Sequence, residues 1–228
     1  MITFTCVWAG EGAPYSEEWV QKLKRGIERH YPRPHKFVCL TDRDHIEGVD
    51  TIKLEHNWPI YWSKMELFKP GQFSGPVIYM DLDVLITGDI TEFVKNWEAM
   101  VMITDYYPEI DNSTMMYWDS DDEFYHGMYH DMIANSEKIQ HDYRNRWPVK
   151  NFGDQEYIGE YIKKNGRKVL RWQDVLPKEW FIEFSIKSAL NPLVRDKKYS
   201  DDLRFCYCLG APKFQLFRKL PIVRDNWV

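Results

Sequence analysis

The residue types best suited to chemistry are Asp81 and Asp83, which flank Leu82 and follow the apolar run Gly75-Pro76-Val77-Ile78-Tyr79-Met80. Val77 to Met80 show no polar alternation and begin after a Gly-Pro pair, the pattern of a strand covered on both faces. On an extended chain, side chains two apart point the same way, so the carboxylates are expected to converge while Leu82 turns into the core. Two hard oxygen ligands at the carboxyl end of a buried strand suit Mg²⁺ or Mn²⁺, ions that share their coordination sphere with substrate phosphates. The same spacing occurs at Asp42/Asp44, inside a polar run, and at Asp119/Asp121, which reads as a charged turn or helix start. Only Asp81/Asp83 follows a buried strand, where an unneutralised carboxylate pair is costly.

Four other places hold candidate groups, each with a plainer reading beside the functional one. Lys64, in the short helix Trp62 to Phe68, would set a point charge beside a diphosphate or simply face solvent. Asn112 and Ser113, just before an apolar strand, would fix sugar hydroxyls or form an Asx-type turn. Asp154 opens a helix and could be its N-cap. Lys213 follows the strand Phe205 to Leu209 and a tight turn at Gly210, where a lysine could meet a phosphate.

The elements that must position these groups alternate in type. Ile2 to Trp8 reads as a strand, and Ser16 can cap a helix with Glu17 and Glu18 in its first turn and Trp19, Val20, Leu23 and Ile27 on its buried face. Strands over 36–40 and 49–54 follow, then the strand ending at Met80, a helix over Ile90 to Trp97, and a strand from Met100 to Thr104. A helix starting at Gly153 carries an apolar stripe at Tyr157, Ile158, Tyr161 and Ile162 and stops at Asn165-Gly166. This order predicts an α/β fold with a parallel sheet covered by helices and ligands gathered at the carboxyl ends of the strands.

With 228 residues and no linker or repeat, one domain is expected over 1–228. A formal charge of −5 with no basic stripe argues against nucleic acid and points to a small-molecule partner. Aromatics are 16% of residues, with 10 Trp and 14 Tyr, which fits either a site that stacks flat bases and sugar rings or a Trp-rich core. Cys6, Cys39, Cys206 and Cys208 lie in apolar runs without Cys-x-x-Cys spacing and read as buried reduced thiols, hence a reducing compartment. No signal-peptide pattern and no run of the ~20 apolar residues that span a bilayer is present, so a soluble, cytoplasmic protein without a transmembrane segment is expected. The tail 213–228, mixed and broken by Pro221, reads as packing.

Taken in order, Trp8-x-Gly10, Lys64, Asp81-Leu82-Asp83, Asn112-Ser113, Gly153-Asp154-Gln155 and Gly210-x-x-Lys213 resemble the glycogenin-like family 8 of nucleotide-sugar glycosyltransferases. The resemblance covers nearly the whole chain. It implies a single GT-A domain with a mostly parallel mixed sheet, a nucleotide- and metal-binding half over 1–104, and an acceptor half with a closing motif over 105–228. It implies transfer of a sugar from a UDP-sugar or related donor to a glycan, lipid or protein acceptor, with retained anomeric configuration. Asp81 and Asp83 would hold Mn²⁺ or Mg²⁺, with Asp81 also reaching the ribose. Val7, Trp8, Gly10 and Tyr15 would hold the base; Lys64, Asn112, Ser113 and Asp154 would surround the donor sugar; Gln155 would lie beneath its anomeric carbon. Lys213 would contact the diphosphate, with Leu82 and Gly210 belonging to the same donor-binding motifs.

The pattern is broken at Tyr207, where the family has a metal-ligating histidine. A neutral phenol with a reference pKa of about 10 is a poor ligand at neutral pH, so the third ligand is either this Tyr207 or a residue elsewhere such as Asp201 or Asp202. Phe214 replaces the usual proline after Lys213. Two other readings therefore stand beside an active transferase. One is a nucleotide- or sugar-binding protein that has lost catalysis; the other is a sugar nucleotidyltransferase, although Gly10-Glu11-Gly12 lacks that class's basic phosphate loop.

Overall fold

The computed structural model describes residues 1–10, 14–105, 110–144, 153–184, 201–208 and 213–228. They form ten strands: β1 (Ile2–Trp8), β2 (His35–Thr41), β3 (Asp50–Lys53), β4 (Pro76–Met80), β5 (Val84–Ile86), β6 (Met100–Thr104), β7 (Asp111–Asp119), β8 (Val169–Arg171), β9 (Phe181–Phe184) and β10 (Phe205–Cys208). Three longer helices are α1 (Glu17–His30), α2 (His126–Arg144) and α3 (Asp154–Lys164), and a 3₁₀ helix runs over Ile60–Phe68. The chain packs as two compact units interleaved in sequence. The first takes Met1–Pro14, His35–Met80 and Asn96–Trp172; the second takes Tyr15–Pro34, Asp81–Lys95 and Gln173–Val228.

The first unit is built on a seven-stranded sheet in the order β3-β2-β1-β4-β7-β6-β8. Neighbours are parallel except on either side of β7, which runs antiparallel to β4 and to β6. The unbroken apolar run of β4 has the expected cause, since Val77, Ile78, Tyr79 and Met80 are all buried. A core of Trp62, Met65, Phe68, Tyr79, Met116, Trp118, Met128, Tyr157 and Ile158 joins the sheet to α2, α3 and the 3₁₀ helix. Each such large side chain contributes roughly 1.5–3 kcal/mol through burial. The reversal of β7 has a functional consequence. Its first residues pair with the last residues of its neighbours, Met80 with Met115 and Thr104 with Asp111, so its polar start lies at the sheet edge where β1, β4 and β6 end.

The second unit centres on a three-stranded sheet, β5-β10-β9, with β10 antiparallel to β5 and parallel to β9. Phe205 of β10 meets Phe93 at 4.6 Å and stacks on Phe181 at 5.4 Å. Helix α1 buries Trp19, Val20, Leu23 and Ile27 as its periodicity predicts, and Gly26 comes against Ile86 of β5. The tail is packing, as expected: Phe214, Phe217, Ile222, Val223 and Trp227 are buried, and Trp227 meets Trp19 at 4.6 Å.

Local expectations are corrected in several places. The stretch 90–97 forms turns rather than a helix: the Ile90 N–H bonds the His30 carbonyl at 3.0 Å and the Phe93 N–H closes a tight turn on the Ile90 carbonyl at 3.0 Å. Ser16 is the N-cap of α1, but through its backbone: its carbonyl accepts the Trp19 N–H at 2.9 Å and its side chain makes no cap bond. The α3 N-cap is Gly153, which makes Asp154 the first helical residue and frees its carboxylate for other partners. Asn112 and Ser113 lie inside β7 rather than before it, and the Asx-type bond is nonetheless made there, the Asn112 Oδ1 accepting the Thr114 N–H at 2.8 Å. Among the described residues no helix is long and apolar enough to cross a membrane.

Candidate functional site

In the first unit, the polar start of β7 collects charged side chains from two helical segments. Ser113 Oγ donates to Asp154 Oδ2 at 2.6 Å, Lys64 Nζ donates to Ser113 Oγ at 3.0 Å, and Lys64 Nζ lies 3.2 Å from Asp154 Oδ2. The three are 1%, 8% and 4% exposed in the order Ser113, Lys64, Asp154. The solvent-facing reading of Lys64 is thereby excluded. An ion pair this deep costs desolvation that only close geometry and further hydrogen bonds can offset, which makes it poor evidence for stability and a candidate for function. Asp154 also sits where the α3 dipole favours a negative charge.

Beside this triangle, Asp105 at the end of β6 accepts from Asn112 Nδ2 at 2.7 Å and from Gln155 Nε2 at 3.1 Å. Gln155 Nε2 also donates to Glu156 Oε1 at 3.0 Å, while Glu156 Oε2 accepts the Gly153 N–H at 2.6 Å. Burial pushes the Glu156 carboxyl up, against the pull of those bonds. Lys64, Asn112, Ser113, Asp154 and Gln155, all named from sequence, thus fall in two hydrogen-bonded sets that meet through chain neighbours, Asn112 with Ser113 on β7 and Asp154 with Gln155 on α3.

At the same sheet edge, the segment after β1 is clasped by Asp42, from one of the other Asp-x-Asp pairs, and by Arg43 beside it. Gly10 N–H donates to Asp42 Oδ2 at 2.8 Å, Arg43 Nη2 donates to the Gly10 carbonyl at 3.1 Å, and the Arg43 guanidinium lies 5.2 Å from the Trp8 ring centre. Gly10 has φ of 83°, a conformation that favours glycine. The signal for Asp42 and Arg43 was available: β2 runs parallel to β1 with Trp8 opposite Thr41, so the two strands end side by side.

In the second unit, Asp83 is 1% exposed and its Oδ2 accepts from Tyr15 Oη at 3.1 Å and from Lys213 Nζ. Its Oδ1 is buried with no hydrogen-bond partner among the described residues. Burial pushes the Asp83 carboxyl above the usual carboxylate range, Lys213 pulls it back and the Asp81 charge adds to the rise. Tyr15 is a protonated donor to Asp83, its phenol held well above the normal value by burial and by the charges of Asp83 and Asp81. The extended-chain argument for Asp81 and Asp83 is corrected. The two residues belong to a turn closed by the Val84 N–H on the Asp81 carbonyl at 3.1 Å. Leu82 between them is 3% exposed, turned inward as expected.

An orphaned, desolvated carboxylate oxygen is the kind of atom a hard cation satisfies, and Asp81 stands close enough to act on Asp83 electrostatically. Asp81 and Asp83 therefore fit Mn²⁺ or Mg²⁺ as carboxylate ligands. Among the described residues no group of three His, Cys, Asp or Glu side chains could hold an ion. Tyr207 is buried in β10 opposite Val84 and Glu183. Asp201 and Asp202 are exposed turn residues, and Gly210 lies outside the described residues.

No protein-family profile and no curated protein matches the sequence. Solved structures do match. An active-site mutant of LgtC is similar with a TM-score of 0.64 at 11% identity, over 98% of this chain and 96% of that one. The galactosyltransferase LgtC in complex with donor and acceptor sugar analogues gives a TM-score of 0.62 at 13% identity, over 92% and 88%. The glycosyltransferase GlyE of Streptococcus pneumoniae gives 0.59 at 14% identity, over 93% of this chain and 55% of GlyE. The chain has the α/β fold of GT-A glycosyltransferases, with a mostly parallel mixed sheet flanked by helices.

Proposed function

We propose that the protein is a glycosyltransferase that takes a sugar from a nucleotide-diphosphate sugar, a UDP-sugar, and passes it to a glycan, lipid or protein acceptor. The observation that carries this reading is Asp83: a buried carboxylate with one orphaned oxygen, accompanied by Asp81 and by a lysine. That set suits a cation and a diphosphate. The cation, Mn²⁺ or Mg²⁺ on Asp81 and Asp83, would supply positive charge for the departing diphosphate. Lys213 would contribute to the same task once its bond to Asp83 is exchanged for one to phosphate.

The donor sugar falls to the first unit. Lys64, Ser113 and Asp154 offer fixed donors and acceptors for its hydroxyls, and Gln155 lies beneath the anomeric carbon. The fixed Trp8-to-Gly10 segment serves the base. Asp154 is tied to Lys64 and Ser113, which suits it to hold a hydroxyl rather than to attack carbon. This supports front-face transfer. The bond from anomeric carbon to phosphate oxygen breaks, the acceptor oxygen bonds on the same face, and the acceptor proton passes to the departing phosphate, with configuration retained. Four buried free thiols support a reducing, cytoplasmic setting.

Calorimetric titration with UDP and with GDP, each with and without Mn²⁺, tests the reading on the wild type and on Asp83→Ala. Metal-dependent binding of one nucleotide, lost in the variant, is the expected result. Absence of nucleotide binding under every condition refutes it. Nucleotide binding without turnover of any donor sugar favours the second reading, a binding protein that has lost catalysis, for which Tyr207 in place of histidine is the supporting feature.

A further inference from the structure

A side-chain amide at a reaction centre can present either a carbonyl oxygen or an N–H group, and the two have opposite effects on developing charge. At Gln155 the choice is made by its neighbours. An amide nitrogen has two hydrogens, and both are taken: Nε2 donates to Asp105 Oδ2 at 3.1 Å and to Glu156 Oε1 at 3.0 Å. Turning the amide over would set its carbonyl oxygen against two carboxylate oxygens.

The acceptor roles of those carboxylates are themselves fixed from outside. At one end, the Thr114 backbone N–H donates to Asn112 Oδ1 at 2.8 Å, which forces the Asn112 amide to point its nitrogen at Asp105 Oδ2, 2.7 Å away. At the other, the Gly153 backbone N–H donates to Glu156 Oε2 at 2.6 Å. Backbone N–H groups cannot reverse, so the polarity of the whole chain from β7 to α3 follows from its two ends. What remains of Gln155 for a ligand is its carbonyl oxygen.

We propose that Asp105 is a positioning residue which, with Asn112 and Glu156, holds Gln155 so that only its carbonyl oxygen meets the donor. The inference rests on the reading of Gln155 as the residue beneath the anomeric carbon. When the bond to phosphate breaks, positive charge grows on that carbon, and a fixed dipole with its negative end toward it stabilises the charge without reorganisation. An N–H group in the same place would oppose the reaction. Asp105 lies one residue beyond β6, at the start of the half expected to hold the acceptor, and belongs to none of the donor-site motifs.

Two measurements separate this inference from the transferase reading. The first is the exchange rate of the Gln155 side-chain NH₂ protons by NMR, assigned by their loss in Gln155→Glu. The clamp predicts protection in the wild type, loss of protection in Asp105→Leu, and near-native protection in Asp105→Asn, whose amide oxygen can accept both bonds. Free exchange in the wild type overturns the clamp whatever the activity. The second is donor turnover. Asp105→Leu is expected to lower kcat by ~100-fold, the scale of a misplaced reacting group, with the donor KM little changed and with most of kcat restored in Asp105→Asn. An equal rise in KM with kcat intact overturns the positioning role. Protected protons in a wild type that turns over no donor leave the clamp standing but overturn both its catalytic purpose and the transferase reading.

Discussion

Gly153 is held to glycine by a ring, and replacing it tests how α3 is seated. A Cβ built on Gly153 would lie 2.9 Å from two atoms of the Tyr61 ring and closer still to a third. Ordinary contact begins near 3.4 Å, so the ring or the start of α3 must move by up to about an ångström. The φ at Gly153 is −151°, outside the left-handed region that favours glycine. Overpacking of this kind costs typically 1–3 kcal/mol, and Gly→Ala returns ~0.4–1 kcal/mol through the unfolded chain. A net loss of roughly 1–2 kcal/mol would lower Tm by about 2–8 °C in a chain of this size. Thermal melts of wild type, Gly153→Ala, Tyr61→Ala and the double variant read the effect directly. In the Tyr61→Ala background the alanine at 153 should be neutral or stabilising. The reasoning fails if Gly153→Ala melts like wild type, or if it costs the same with and without the Tyr61 ring. Because the same helical turn carries Asp154 and Gln155, donor turnover should fall by more than the lost stability explains.

Breaking the buried pair should be expensive. Lys64→Met leaves the Asp154 carboxylate desolvated without its cation, with an expected loss of ~3–5 kcal/mol in urea unfolding, and Lys64→Met with Asp154→Leu should recover part of it; a silent single variant refutes the burial assigned to the pair. The four free cysteines are all buried, and burial pushes the Cys206 and Cys208 thiols well up, so a thiol reagent at pH 8 should label the native protein slowly and the urea-unfolded protein at all four sites. The same shifts set the alkaline limit. A thiol or phenol whose folded pKa is raised favours the protonated folded state, so its contribution is fully present below the unfolded value and is lost as pH rises above it. Stability should therefore decline from about pH 8.5 for Cys206 and Cys208 and further from about pH 10 for Tyr15 and Tyr157. A urea midpoint independent of pH between 7 and 10.5 would contradict those assignments.

What the sequence discloses depends on whether a signal is local. The buried strand β4, the apolar stripe of α1 and the Asn165-Gly166 stop of α3 are short-range patterns, and the structure agrees with each. Lys64 could not be placed by spacing, because its burial depends on Ser113 and Asp154, far away in the chain. The family resemblance supplied that link by order of motifs rather than by physics. Stretch 90–97 looked helical because its backbone bonds, Ile90 N–H to the His30 carbonyl and Phe93 N–H to the Ile90 carbonyl, do not register in a hydrophobic pattern. Asp105, Asp42 and Arg43 were missed for the same reason as Lys64: their partners come from other strands, and only parallel register or an amide's hydrogen-bond count reveals them.

The interleaving of the two units sets a timetable for synthesis. The Val84-Leu85-Ile86 strand leaves the ribosome early, yet its sheet partner is β10, which begins at Phe205. At ~5–20 residues per second the wait is on the order of 10 s, during which an apolar strand of the nascent chain has nothing to pair with. The seven-stranded sheet, by contrast, has all its strands once β8 has emerged at Arg171. A chaperone acting on this protein during translation would find its client in the segment just after the Asp81-Leu82-Asp83 turn, and slower translation would lengthen that exposure.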